Sequence, residues 1–354
     1  MVSNVSIHEI KESKKRVLWL DFAKAFAIIA VVVTHVITKF LIPLDFRSSE
    51  ILVAFIVAFQ PLRMPVFFLV SGLLGASALI KPWRVVLTRK TASYYYIYVI
   101  WLVLQTVSFS LFPNHIVIPT VVANDLVSIF AQLTYDPSNL WYLWALALFF
   151  PIAKMGLRLP RAAIVASLLL ATLAAMGLFS ELGLASAALL NLPWFLLGSY
   201  FSSSLMSFVD SRQSRRIWLS IFCFAFLLAG YLGIRVAFGS LFSGLIYNIV
   251  AFAGLIMIVY LFPRLATILR RCKLLSSLVV YIGRNTVQIY VLHVPIITLV
   301  GYFAGSLTGS LIMALLMAII TSIIVIAASL VAGSVLQRLI PFIFSPPKWI
   351  SGVS

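Results

Sequence analysis

Residues 20–40, LDFAKAFAIIAVVVTHVITKF, are apolar enough to cross a bilayer and yet carry Asp21, Lys24 and His35. Hydrocarbon penalises each of those groups by a few kcal/mol, so a helix that keeps them must turn them inward. Lys24 and His35 are eleven residues apart. At 3.6 residues per turn that is about three turns, which puts both on one face roughly 16 Å apart. Asp21 and Thr38 fall within the same third of the circumference. The stretch therefore reads as a membrane helix with one polar stripe. A buried Asp21–Lys24 ion pair with a satisfied histidine would account for the stripe structurally. The functional reading is that an ionisable group inside a membrane marks a site, and histidine is the side chain suited to general-base work near neutrality.

The whole chain supports the membrane reading. Of its 354 residues 63% are hydrophobic and 10% are charged, against about 25% charged in an ordinary soluble domain. The expected fold is an all-α polytopic membrane protein, a bundle of about ten transmembrane helices. Expected spans are 17–40, 51–79, 94–112, 139–157, 162–179, 184–205, 217–235, 241–262, 278–303 and 309–337. The expected organisation is a cytoplasmic tail over 1–16, a transmembrane domain over 17–337 and a second cytoplasmic tail over 338–354. The first apolar run is too long for a signal-peptide core and lacks a small-residue cleavage site, so it reads as a retained span.

The net charge of +17 is spread in small clusters between apolar runs, which argues against a nucleic-acid partner and for topology. Twenty of the 26 lysines and arginines fall in the loops on the N-terminal side, and only Lys39, Arg47 and Arg235 on the other. By the positive-inside rule both termini are expected in the cytoplasm. Lys24, Arg63 and Arg284 belong to neither side, because they sit inside spans. Cys223 and Cys272 are too few for a metal set, no metal site is expected, and the chain shows no fixed-period repeat.

Three further spans carry polar groups. In QPLRMPVFFLVSGLL, Pro61 and Pro65 remove backbone donors, so a kink or an unwound segment is expected. Arg63 lies between the prolines, with Gln60 a turn away and Ser71 three turns further along the same face; Ser71-Gly72 alone could simply permit close helix packing. In VVYIGRNTVQIYVLHVPIITLV, Arg284 comes to the depth of Lys24 and His293 towards that of His35, but a regular helix puts Arg284 and His293 on opposite faces. Either Pro295 distorts the turn before it or the two residues serve different neighbours. Gln288 lies between them. In DPSNLWYLWALALFF, Trp141, Tyr142 and Trp144 are expected at the outer surface, as an aromatic belt or as a stacking platform for a sugar. His115 is expected in an outer loop. Arg89 and Lys90 read equally as an orientation signal or as a phosphate contact.

These blocks resemble the membrane acyltransferase-three family, in particular its branch related to fucose O-acetylases. LDFAKAFAIIAVVVTHV is similar to the family's first helix, RMPVFFLVSGLL to its Met-Pro-x-Phe-Phe and Ser-Gly block, LWYLWALALFF to its Trp-rich helix, and IGRNTVQIYVLHVP to its late Tyr-x-x-His segment. They occur in family order over nearly the whole chain. The resemblance implies transfer of an acyl group, usually acetyl, from cytoplasmic acetyl-CoA to a hydroxyl of a cell-surface or lipid-linked sugar, in the plasma (inner) membrane of a bacterium. It implies no tightly bound cofactor. Lys24 takes the place of the family's basic residue, His35 that of its essential histidine, and Ser71, Gly72 and His293 fall on other motif positions. Many members have Arg where Lys24 stands, and Ala92 occupies the place of a second base after Arg89.

The expected mechanism puts the donor phosphates near Lys24, Arg284 and Arg89 or Lys90. His35 then deprotonates the acceptor or carries the acetyl group, with Arg63, Gln60 or Ser71 at the oxyanion and Asp21 orienting Lys24. Gln288, Trp141, Tyr142 and His293 complete the candidate set. Two other readings use the same residues differently: a glycan or small-molecule exporter, whose intramembrane charges would line a path, and a non-catalytic membrane scaffold.

Overall fold

The computed structural model describes residues 18–44, 49–111, 126–210, 216–303, 310–347 and 350. The N-terminal tail, Arg47, His115, Arg212, Arg215 and Lys348 lie outside the described residues. Within them the chain is helical throughout, with turns between the helices and no strand. The helices are α1 (Leu18–Val36), α2 (Ser49–Leu79), α3 (Trp83–Leu111), α4 (Leu126–Thr134), α5 (Trp141–Gly156) and α6 (Pro160–Ala175). After them come α7 (Leu184–Tyr200), α8 (Ser202–Asp210), α9 (Ile217–Leu269), α10 (Lys273–Arg284), α11 (Thr286–Phe303) and α12 (Leu311–Leu339).

Six of these helices are long and apolar enough to cross a membrane, or seven if α7 and the start of α8, bent by 75° at their junction, form one span. The count of ten is thus not established by length and apolarity among the described residues. Two of the expected spans, α5 and α6, are apolar but shorter than the six. Two others are joined in the 53 residues of α9. There Gly239 has φ 76°, a left-handed conformation that only glycine adopts without strain, so the helical path changes direction at the gap expected between residues 235 and 241.

Other departures from expectation have local causes. The 278–303 segment is two helices, because Asn285 leaves helical geometry (φ −103°, ψ 25°) between α10 and α11. Its side-chain amide caps the turn it ends, Nδ2 donating to Tyr281 O at 2.8 Å. By contrast α2 runs unbroken through Pro61 and Pro65 and does not unwind. Next to Pro61 the Tyr247 hydroxyl donates to Gln60 O at 3.2 Å. The C-terminal segment is also held: Trp101 Nε1 donates to Ile343 O at 2.8 Å, and Ile343 is buried.

Helix α1 is the axis of the bundle. Of its apolar window 67% is buried, against 28% for α12, so the helix carrying the costly polar stripe is the one most enclosed by protein. It packs against α2, α9, α10, α11 and α12. Small residues let the backbones approach, as expected where lipid supplies no hydrophobic drive for helix association. A methyl group on Gly72 would lie 2.2 Å from Phe195 O, and one on Gly198 2.2 Å from Leu69 O, so α2 and α7 cross backbone to backbone. Gly283 of α10 fits against Asp21 of α1 in the same way, at 2.2 Å from its carbonyl oxygen. The Cys223 and Cys272 thiols are free and exposed.

Candidate functional site

The site begins with the stripe of α1. Lys24 Nζ lies 2.9 Å from Asp21 Oδ1, one helical turn away, and the carboxylate is buried. A buried charge must be paired, and this pairing keeps Lys24 in place beside a cavity of about 140 Å³. Lys24, Lys90, Ser71, Tyr94, Tyr142 and Tyr290 are among the residues lining it, as is Thr286 at the start of α11. Lys90 reaches it from the π-helical turn Leu87–Ala92, its Nζ 5.3 Å above the Phe150 ring, while Arg89 is exposed. Of the adjacent basic pair, only Lys90 faces the cavity. Arg284 is exposed at the last turn of α10 and does not line it.

The wall of this cavity is a connected set of hydroxyl groups. Ser71 Oγ donates to Phe67 O at 2.7 Å and lies 2.6 Å from the Tyr142 hydroxyl, whose proton it accepts. Tyr290 donates to Asn139 O at 3.0 Å and accepts from Tyr142 N at 3.1 Å. Tyr142 and Trp144 are buried, 7% and 8% exposed, which corrects their expected place at the outer surface. Phe67, Phe68 and Tyr290 pack around the Tyr142 ring because α5 crosses inside the bundle. Trp141 is half-buried, its ring 5.7 Å from that of Phe68.

Tyr290 borders the second part of the site, with its ring 5.8 Å from that of His293. His293 is fully buried, and its Nε2 lies 3.0 Å from His35 Nδ1. His293 Nδ1 faces two carbonyl oxygens, Tyr290 at 2.6 Å and Ile289 at 3.2 Å. Carbonyls only accept, so Nδ1 carries a proton. With both rings uncharged, His293 Nε2 is then an acceptor, His35 Nδ1 must donate to it, and the lone pair of His35 is at Nε2. The backbone of α11 thereby fixes the tautomer of a histidine 258 positions earlier, much as an orienting group does for a catalytic histidine elsewhere.

Two cations flank this pair. Arg63 is close enough to His35 for its charge to act on it, and its Nη1 is buried without a hydrogen-bond partner among the described residues. Its other neighbour is Tyr247. Lys39 acts on both histidines. Counted on the outer side at the end of the first expected span, it is 6% exposed, inside the π-helical turn Ile37–Leu41 that directly follows α1. The extra residue in this turn leaves Thr38, expected on the stripe, exposed. Lys39 four residues after His35 was the signal in the sequence, and π turns are frequent at functional sites. Gln288 joins neither part, since its amide pairs with Gln337 of α12 and it packs against Gly333. Tyr94 and Thr286 are lining residues that the sequence did not single out, whereas Tyr290 is the tyrosine of the Tyr-x-x-His segment.

A helical bundle with long apolar helices, and a histidine pair and a lysine-lined cavity inside it, defines a multi-pass membrane protein. The chain belongs to the acyltransferase-3 family: a family model described as an acyltransferase domain matches residues 17–333. It is similar to the inner membrane protein YcfT of Escherichia coli (strain K12), with 24% identity over 297 residues covering 79% of each chain. No solved structure matches it at a significant level.

Proposed function

We propose that the protein is a membrane O-acetyltransferase that moves an acetyl group from cytoplasmic acetyl-CoA to a hydroxyl of a cell-surface or lipid-linked sugar, in the inner membrane of a bacterium. The observation that carries this reading is the His35–His293 pair, which leaves His35 Nε2 with a lone pair for an acceptor hydroxyl. Membership of an acyltransferase family supports the reaction class. The basic-loop pattern supports a cytoplasmic mouth at Lys24.

In this mechanism the donor's phosphates meet Lys24 and Lys90, where ammonium groups beside a partly enclosed cavity bind anions well. His35 takes the proton of the acceptor hydroxyl at Nε2, and the acceptor oxygen attacks the thioester carbonyl. The resulting imidazolium is held by its Nδ1–H bond to His293. Arg63, with a free N–H, stabilises the oxyanion, and its collapse expels the CoA thiolate, which takes up the proton. Ser71 and Tyr142 spend their hydroxyl protons on Phe67 O and Ser71 Oγ respectively, so they shape the cavity in this scheme and Arg63 serves the oxyanion.

The test is transfer of radiolabel from acetyl-CoA to a lipid-linked or glycan acceptor by protein in nanodiscs. Wild type labels the acceptor; wild-type activity in both His35→Ala and Lys24→Ala would sink the proposal. Lys90→Gln removes one phosphate contact and is expected to raise the KM for acetyl-CoA roughly tenfold, the value of one charge-assisted hydrogen bond, with kcat little changed. His293→Gln acts through its neighbour. It is expected to lower kcat by about 10- to 100-fold with the donor KM unchanged, because it disturbs the base and leaves donor binding alone.

A further inference from the structure

Proline at position 295 interrupts the hydrogen bonding of α11. A helical N–H donates to the carbonyl four residues earlier, and Pro295 has no N–H, so Val291 O loses its donor within the helix while the proline ring crowds it outward. Inside a membrane bundle a carbonyl freed in this way is answered by a neighbouring helix. Gln105 of α3 answers it, its Nε2 donating to Val291 O at 2.7 Å, and the two residues are 2% and 0% exposed. Since a carbonyl only accepts, the nitrogen is the end of the Gln105 amide that faces α11.

Both ends of this bond are held. Tyr98, Trp101 and Gln105 lie three and four residues apart, on one face of α3, and each is buried. The Tyr98 hydroxyl donates to Gln132 O at 2.6 Å and accepts from Ser138 N at 3.2 Å, and Trp101 Nε1 donates to Ile343 O. Gln105 therefore reaches across from a helix face fixed at two other points. On the α11 side, the carbonyls of Ile289 and Tyr290 face Nδ1 of His293, and the next one in the chain, that of Val291, faces Gln105. One turn of backbone thus holds the ring of His293 and is itself tied to α3. Packing alone needs neither residue: with alanine at 295 the helix would satisfy Val291 O itself, and an apolar side chain at 105 would fill the space.

We infer that Gln105 is a positioning residue for the His35–His293 pair. Its amide takes the place of the N–H that Pro295 lacks, and so fixes the turn from which His293 reaches His35. The contact it protects is the 3.0 Å approach of His293 Nε2 to His35 Nδ1, and a hydrogen bond of that kind weakens steeply when its angle is lost. Without the Gln105 bond, Val291 O must find another donor, and the turn below His293 moves to meet it. The effect on acetyl transfer rests on the function proposed above, whereas the effect on the histidine pair does not.

The test is Gln105→Met, which keeps the length of the side chain and removes the donor, in full-length protein in nanodiscs with isotope-labelled histidine. Wild type is expected to show a nitrogen–nitrogen coupling across the His35–His293 hydrogen bond, assigned by its absence from His35→Ala. Gln105→Met is expected to lose that coupling and to lower kcat about tenfold, the worth of one hydrogen bond, with the KM for acetyl-CoA unchanged. In a Pro295→Ala background, where residue 295 can donate to Val291 O, the same substitution is expected to change the coupling little and kcat less than about threefold. A coupling as strong in Gln105→Met as in wild type overturns the inference, and so does its equal loss in both backgrounds. If Pro295→Ala itself disturbs the pair, the single variant decides. If Gln105→Met does not fold, Gln105→Asn, whose amide is one methylene short of Val291 O, is read in the same way. A wild type that shows the coupling but transfers no acetyl would defeat the acetyltransferase reading and leave the role of Gln105 to be decided by the spectra.

Discussion

Replacing His35 by alanine is expected to lower acetyl transfer by about a thousandfold or more, the size of a lost general base, while leaving the protein folded. His35 is half-buried and its ring meets the bundle mainly through His293, so its removal leaves a small void rather than a broken helix contact. Rates with radiolabelled acetyl-CoA, paired with thermal unfolding of the same sample, separate the two effects. The loss should lie in kcat, since the lysines that line the other cavity are untouched. A His35→Ala protein that transferred acetyl groups within tenfold of wild type would remove the base from the mechanism.

Gly72→Val is expected to have the opposite signature. Its Cβ would enter the space of Phe195 O at 2.2 Å and Ser199 N at 2.9 Å, and backbone atoms in a helix cannot swing aside as a side chain can. The α2–α7 crossing must open, at a cost of about 3 kcal/mol or more. The expected result is a much lower unfolding temperature and poor recovery of monodisperse protein, with Gly72→Ala less affected. Ile320→Val, on the exposed side of α12, should stay within about 0.5 kcal/mol of wild type. A Gly72→Val protein as stable as that control would mean that α2 and α7 do not cross so closely.

The contrast between these two residues shows what the sequence could and could not disclose. The polar stripe of α1 is local: residues three turns apart share a face by helical geometry, and Lys24 and His35 do line one side. Gly72 was equally legible as a packing residue, whereas its neighbour Ser71, indistinguishable by pattern, faces the cavity. What periodicity could not supply were partners distant in the chain. His35 meets His293 from α11, and Lys90 shares the Lys24 cavity because two helices bring them together. The break at Asn285 was hidden because an apolar run does not register one residue leaving helical geometry. That break resolves the conflict between Arg284 and His293, since the two never share one helix. The burial of Lys39 was hidden for a related reason: the π turn adds a residue where a straight helix was assumed, and burial follows the actual backbone. Tyr142 and Trp144 were expected at the outer surface, as a belt or as a stacking platform, but the packing of α5 inside the bundle decides their burial.

Tyr290 borders the lysine-lined cavity on one side and touches His293 on the other, and its hydroxyl is tied to Asn139 O and Tyr142 N at the start of α5. A free side chain in that position could flip aside in picoseconds to nanoseconds, but this one is held at its tip as well as at its backbone. Under the proposed mechanism, moving this ring means breaking those two bonds or displacing α5 from α11, and collective helix displacements run in microseconds to milliseconds. Where the helices must move, the passage from cavity to base would keep their time, through a single phenol ring.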